Sequence, residues 1–166
     1  MDLLIDASGW LEYDGHLLRC ALGKGGIKQD KREGDGASPA GSWPLRRVFY
    51  RPDRLAAFPC ALPLSPLSPQ DGWCDDPGHP DYNRPVSLPH PASCEQLWRE
   101  DSVYDVIVVL AHNDDPPQPG LGSAIFMHVA RPGYLPTEGC VALALPDLLW
   151  LLQRVSPTDA VVIPAR

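Results

Sequence analysis

Twenty prolines in 166 residues, about 12% against a background near 5%, set the strictest limit on what this chain folds into. Each proline fixes φ and removes a backbone donor, so long helices are disfavoured and many short strands joined by turns are expected. With fourteen glycines the two residue types make up about a fifth of the chain, still short of the low-complexity range. Hydrophobic residues supply 44%, and 166 residues suffice for one core, so residues 1–166 read as a single domain.

The local patterns agree. "LLIDASGWLEYDGHLLRCALG" gives two or three short strands joined at Ser8-Gly9 and Asp14-Gly15, the latter a strong hairpin signal. A strand is expected at Trp43–Arg51, and loop dominates from Phe58 to Pro91. "VYDVIVVLAHN", "SAIFMHVA", "GCVALAL" and "DAVVIPA" read as buried strands. "SCEQLWRED" suits a short helix capped by Ser93 with Gln96 three residues on. "PDLLWLLQRV" is the best helix, with Pro146 at or near its first position. Helices do not alternate with strands, so a mainly β sandwich or barrel with a few short helices is expected over a parallel α/β sheet.

A net charge of −7 and no basic cluster beyond Lys31-Arg32 or Arg46-Arg47 exclude a nucleic-acid partner. No apolar stretch reaches the roughly 18 residues of a membrane helix. The first residues show no positive n-region, apolar h-region or cleavage site. Five cysteines cannot all pair within one chain. At face value the thiols are free and the compartment reducing, which places the protein in the cytoplasm.

Cys140 follows a glycine at the mouth of one apolar run, and His128 lies twelve residues upstream in another. A cysteine nucleophile needs a base for its thiol and backbone donors for the oxyanion, and a preceding glycine allows close approach. His128 is the candidate base, and Gly139 with Cys140 the candidate donors. Spacing alone leaves the other reading open: a buried core cysteine beside a satisfied histidine.

The order of a strand-borne histidine, a loop and then Thr137-Glu138-Gly139-Cys140 resembles the L,D-transpeptidase catalytic domain (YkuD-like) family. "EGDGASPAGSW" at Glu33–Trp43 resembles that family's upstream Gly, Ser/Thr-Pro, Gly and aromatic block. The resemblance implies an L,D-transpeptidase-like β-sandwich. It also implies a thioacyl-enzyme on Cys140 that releases terminal D-alanine from a peptidoglycan stem peptide, with an amine of a second stem as acceptor. His128 is then base and acid, Gly139 and Cys140 hold the oxyanion, Thr137 supports the site, and no cofactor or metal is implied. Two departures stand out. Glu138 occupies a position the family gives to histidine, and Ala142 one that commonly carries Arg or Asn. A carboxylate beside a thiol opposes the thiolate, so Glu138 is expected to point away or to pair with a cation, such as the ammonium of an acceptor stem.

Trp73, Tyr82 and Arg84, in "DGWCDDPGHPDYNR", are expected to wall the substrate cleft with an aromatic face and a carboxylate clamp. The Cys74, Asp75, Asp76, His79 and Asp81 of that stretch match no standard zinc spacing and read as a turn-rich loop rather than a metal site. Cys20, Cys60 and Cys94 read as structural, His16 and His90 as solvent-exposed, Asp35 as an Asx-type turn, and His112–Asp115 as a strand-ending turn. Two alternatives remain: an L,D-carboxypeptidase using water as acceptor, and a non-catalytic peptidoglycan-binding module. The partners expected are stem peptides or muropeptides, acting on a monomer. A peptidoglycan substrate calls for a periplasmic or wall-facing location, in conflict with the cytoplasmic reading.

Overall fold

The computed structural model describes residues 1–165. The first three strands are β1 (Leu3–Asp6), β2 (Trp10–Tyr13) and β3 (His16–Ala21), followed by the short pair β4 (Ile27–Lys28) and β5 (Ser38–Pro39). The long β6 (Gly41–Tyr50) precedes β7 (Leu64–Pro66), β8 (Asp71–Cys74), β9 (Pro85–Ser87) and β10 (Cys94–Gln96). Then come β11 (Val106–Leu110), β12 (Phe126–Val129), β13 (Val141–Leu143), helix α1 (Leu145–Leu152) and β14 (Ala160–Ile163). Asp14 and Gly15 take φ of 49° and 74°, the left-handed pair that a tight hairpin between β2 and β3 requires. No helix among the described residues is long and apolar enough to cross a membrane.

The protein is mainly β. Its principal sheet runs β11-β12-β13-β3-β2-β1-β14-β6-β7, and β6 also pairs with β11, which closes the strands into a barrel-like ring. The expected two-sheet sandwich is therefore a closed sheet with a separate three-stranded sheet, β10-β8-β9. Two helical expectations are also corrected. Cys94–Gln96 is a strand paired with Cys74–Gly72, because so short a segment after Pro89 and Pro91 gains more from an open sheet edge than from nucleating a helix. Among the described residues there is one α-helix, besides a 3₁₀ turn at Pro132–Tyr134. The stretch from Phe58 to Pro91 holds three short strands that its prolines concealed.

Side-chain alternation gives the ring two buried faces. Val106, Val108 and Leu110 of β11, Met127 and Val129 of β12, and Val141 and Leu143 of β13 join one core, into which α1 packs Leu148, Leu151 and Leu152. Ile107, Val109, Phe126 and Cys140 face the other way, into a second core with Trp73, Leu97 and Tyr104. The three-stranded sheet covers this outer face, with Trp73 edge-on to Phe126 at 5.0 Å between ring centres. The site lies under that cover.

Candidate active site

β12 and β13 are adjacent and parallel, with His128 opposite Ala142. Cys140 sits two residues before Ala142, on the same face as His128. A two-residue offset at about 3.3 Å per residue across a strand spacing of about 4.8 Å makes the two residues diagonal neighbours, roughly 8 Å apart along the backbone. The imidazole is long enough to lean along that diagonal toward the shorter thiol. Both line one cleft of about 300 Å³. The parallel register of β12 and β13 is what sets them on one face.

Their hydrogen bonds set the protonation. His128 Nδ1 lies 2.9 Å from the Val129 carbonyl oxygen. A carbonyl only accepts, so Nδ1 carries the proton and Nε2 keeps a free lone pair. The Cys140 thiol donates to the Ala124 carbonyl oxygen at 3.3 Å and accepts from the Phe126 N–H at 3.3 Å. Burial pushes the thiol up to about 12, partly offset by that N–H. Burial also holds His128 down to about 4, with the Val129 hydrogen bond opposing and Arg131 assisting. At neutral pH the resting pair is thus a thiol and a neutral imidazole, the form in which Nε2 can accept a proton.

The two sequence blocks that carry the family resemblance touch each other. Ser38 Oγ donates to the Gly139 carbonyl oxygen at 2.8 Å and accepts from the Gly23 N–H at 2.9 Å. Thr137 Oγ1 donates to the Cys140 carbonyl oxygen at 2.7 Å and accepts from the Gly139 N–H at 3.1 Å. Thr137 is therefore a buried clamp on the backbone of Gly139 and Cys140. The same contact corrects the oxyanion assignment, because the Gly139 N–H is already engaged. The Cys140 N–H has no hydrogen-bond partner among the described residues and remains available.

Glu138 points outward and pairs with Lys24 at 2.8 Å, both side chains being largely exposed. The carboxylate is thereby neutralised away from the thiol, while still bordering the cleft. The other predicted walls lie elsewhere. Trp73 is buried behind the site, its Nε1 donating to Asn83 Oδ1 at 2.9 Å. Arg84 is exposed and borders a different cavity. Tyr82 is buried, and its hydroxyl donates to Glu33 Oε1 at 2.8 Å. None of the three is among the residues that line the cleft: Trp73 and Tyr82 are buried, and Arg84 stands at another cavity.

Sequence reasoning missed the residues that do line it. Glu33, Asp75, Glu95, Arg99, Tyr104 and Arg131 contribute its polar wall. Tyr104 donates to Glu95 Oε1 and sets its ring edge-on to His128 at 5.4 Å. Arg99 is engaged by Asp101 at 2.6 Å, whereas Arg131 forms no ion pair among the described residues. Asn83 is a buried hub: its Oδ1 accepts from the Ala124 N–H at 3.0 Å, and its Nδ2 donates to the His112 and Asn113 carbonyls. That grip holds Ala124 at φ 53° with its carbonyl turned to the Cys140 thiol. No spacing along the chain announces a contact between residues 83 and 124.

Other expectations resolve simply. Asp35 accepts from the Ala37 N–H at 2.9 Å, as an Asx turn does. His112 follows the end of β11 and packs its ring against Trp43 at 4.7 Å. His16 is exposed, but His90 is not: its side chain keeps only 10% exposure. The family model described as L,D-transpeptidase catalytic domain (YkuD) matches residues 5–163. No curated protein and no solved structure matches the chain.

Proposed function

Because the chain belongs to the L,D-transpeptidase catalytic domain family, we propose that it is a cysteine-dependent peptidoglycan L,D-transpeptidase acting on stem peptides through a thioacyl-enzyme. The observation that carries this reading is the pairing in one cleft of a lone thiol with an imidazole whose Nε2 is the free basic nitrogen. Cys140 Sγ attacks the amide carbonyl that precedes the terminal D-alanine, and its proton passes to His128 Nε2. The oxyanion takes the Cys140 N–H. His128 returns the proton to the departing amine, the C–N bond breaks, and a thioester remains. The amine of a second stem then attacks the thioester, its proton goes to His128, and the thiolate leaves to be reprotonated.

The charges suit the two substrates. Arg131, with no carboxylate partner, is placed to hold the donor's free carboxylate. Glu138 is placed to exchange Lys24 for the acceptor's ammonium. Glu138→Gln should slow amine resolution about two- to fivefold, the worth of an exposed ion pair, with acylation unchanged. Rapid-quench measurement of the two steps checks this, and equal slowing of both would refute it.

A second reading, a peptidoglycan-binding module with an inert thiol, draws on the depth of Cys140 and on its bonds to Ala124 and Phe126. Product analysis after incubation with a disaccharide-tetrapeptide separates the cases. A cross-linked dimer with released D-alanine is the expected result. A tripeptide alone makes the protein an L,D-carboxypeptidase, and unchanged tetrapeptide makes it the binding module. On this reading we propose a periplasmic or wall-facing location, where the stems of mature peptidoglycan lie.

A further inference from the structure

The sheet that covers the cleft holds a second cluster of chemistry-bearing side chains, unused by the proposed reaction. Antiparallel pairing sets Cys74 of β8 directly opposite Cys94 of β10, so both thiols leave the sheet on one face. The turn between β9 and β10 brings His90 back over them, with Nδ1 3.3 Å from Cys94 Sγ. One ligand atom from each of Cys74, His90 and Cys94 lies within 4.8 Å of the others.

The imidazole is oriented for ligation. Its Nε2 lies 2.9 Å from Asp81 Oδ2, so Nε2 carries the proton. Its Nδ1 accepts from the Ala92 N–H at 3.1 Å, so the lone pair is on the nitrogen that faces the thiols. A carboxylate behind a histidine whose other nitrogen is free is the arrangement that fixes tautomer and raises basicity in metal sites. His79 packs edge-on against His90 at 4.7 Å between ring centres and fills the outer side.

We propose that Cys74, Cys94 and His90 form a zinc site, with Asp81 orienting the imidazole and water completing a tetrahedron. Two thiolates and an imidazole are a ligand set that selects Zn²⁺ over hard cations, and their two negative charges balance the ion. Binding releases both thiol protons to solvent and displaces the Ala92 N–H from Nδ1. The consequence reaches the cleft, because Asp75 and Glu95, the residues immediately after the two cysteines, stand in its wall. The ion staples a small, proline-rich sheet at the point where it meets that wall.

Cobalt titration of the full chain, stripped of metal with a chelator and kept reduced, tests the site without reference to transfer activity. The expected result is a single equivalent of Co²⁺ giving a thiolate-to-cobalt charge-transfer band and intense visible bands, both bleached by Zn²⁺. Cys94→Ser, at a half-buried position, loses the charge-transfer intensity with its far-ultraviolet dichroism unchanged. Asp81→Asn, at an exposed carboxylate, keeps the spectrum and weakens Zn²⁺ binding about 10- to 100-fold. Absence of a thiolate band in the reduced wild-type protein overturns the proposal. So does an undiminished band in Cys94→Ser, which would put the metal on another thiol, or unaltered affinity in Asp81→Asn.

Discussion

His128→Gln lowers the acylation rate about 10²- to 10⁴-fold at neutral pH, the usual contribution of a positioned general base. Glutamine keeps nearly the same bulk without a basic nitrogen, so the loss reports chiefly the missing base. The size follows from the thiol. Burial pushes the Cys140 thiol up to about 12, far above neutral pH, so the resting cysteine is almost entirely a thiol. On the proposed mechanism the wild-type protein avoids that restriction by moving the proton to His128 during attack.

The pH dependence has a definite sign. The base works in its neutral form, and burial lowers its pKa to about 4. Wild-type acylation should therefore fall only as pH drops through about 4, rather than through the range near 6.5 of a solvated histidine. The variant should instead gain about tenfold per pH unit through the alkaline range, tracking the thiolate. Single-turnover rates across pH decide the matter; a wild-type limb near 6.5 would show that His128 is not the buried base described here.

Gly139→Ala is the second large effect. Gly139 has φ +135°, a conformation closed to L side chains, and an added Cβ would lie 2.7 Å from the Ala37 carbonyl oxygen. That oxygen belongs to backbone pinned through Ser38, which bonds Gly23 on one side and Gly139 on the other, so it cannot retreat. Strain and overpacking together should remove roughly 2–5 kcal/mol of stability, a large part of the 5–15 kcal/mol typical of a domain. Gly133→Ala is the control: its φ is +74° but nothing lies within 4 Å of the new Cβ, so only the left-handed cost of about 1–2 kcal/mol applies. Urea denaturation of the two variants measures the difference, and equal midpoints would mean that Ala37 does not press on Gly139.

The strands of the ring were legible because β-branched runs bounded by turn residues carry their own signal, as in Val106–Leu110 and Ala160–Ile163. Cys140 and His128 could be singled out because the family pattern keeps them in order along the chain, and both line one cleft. What was illegible depended on long-range pairing. Cys94 looked structural and His90 exposed until β8 and β10 placed them with Cys74 and Asp81. Trp73 and Tyr82 looked like cleft walls because aromatic residues in a polar loop suggest recognition, yet Trp73 packs into the core under the three-stranded sheet and Tyr82 is buried with its hydroxyl bonded to Glu33. The Gly139 N–H was assigned to the oxyanion from its place beside the cysteine. Its capture by Thr137 is a matter of side-chain rotamer, which sequence does not express.

On the proposed mechanism Cys140 carries the acyl group. An intact-mass spectrum of the protein mixed with excess stem tetrapeptide tests it directly. The expected result is a mass increase equal to the donor less D-alanine, mapped by proteolysis to the peptide containing Cys140 and absent from Cys140→Ala. An adduct on any of the other four cysteines, or an unmodified Cys140 while D-alanine is still released, would contradict it.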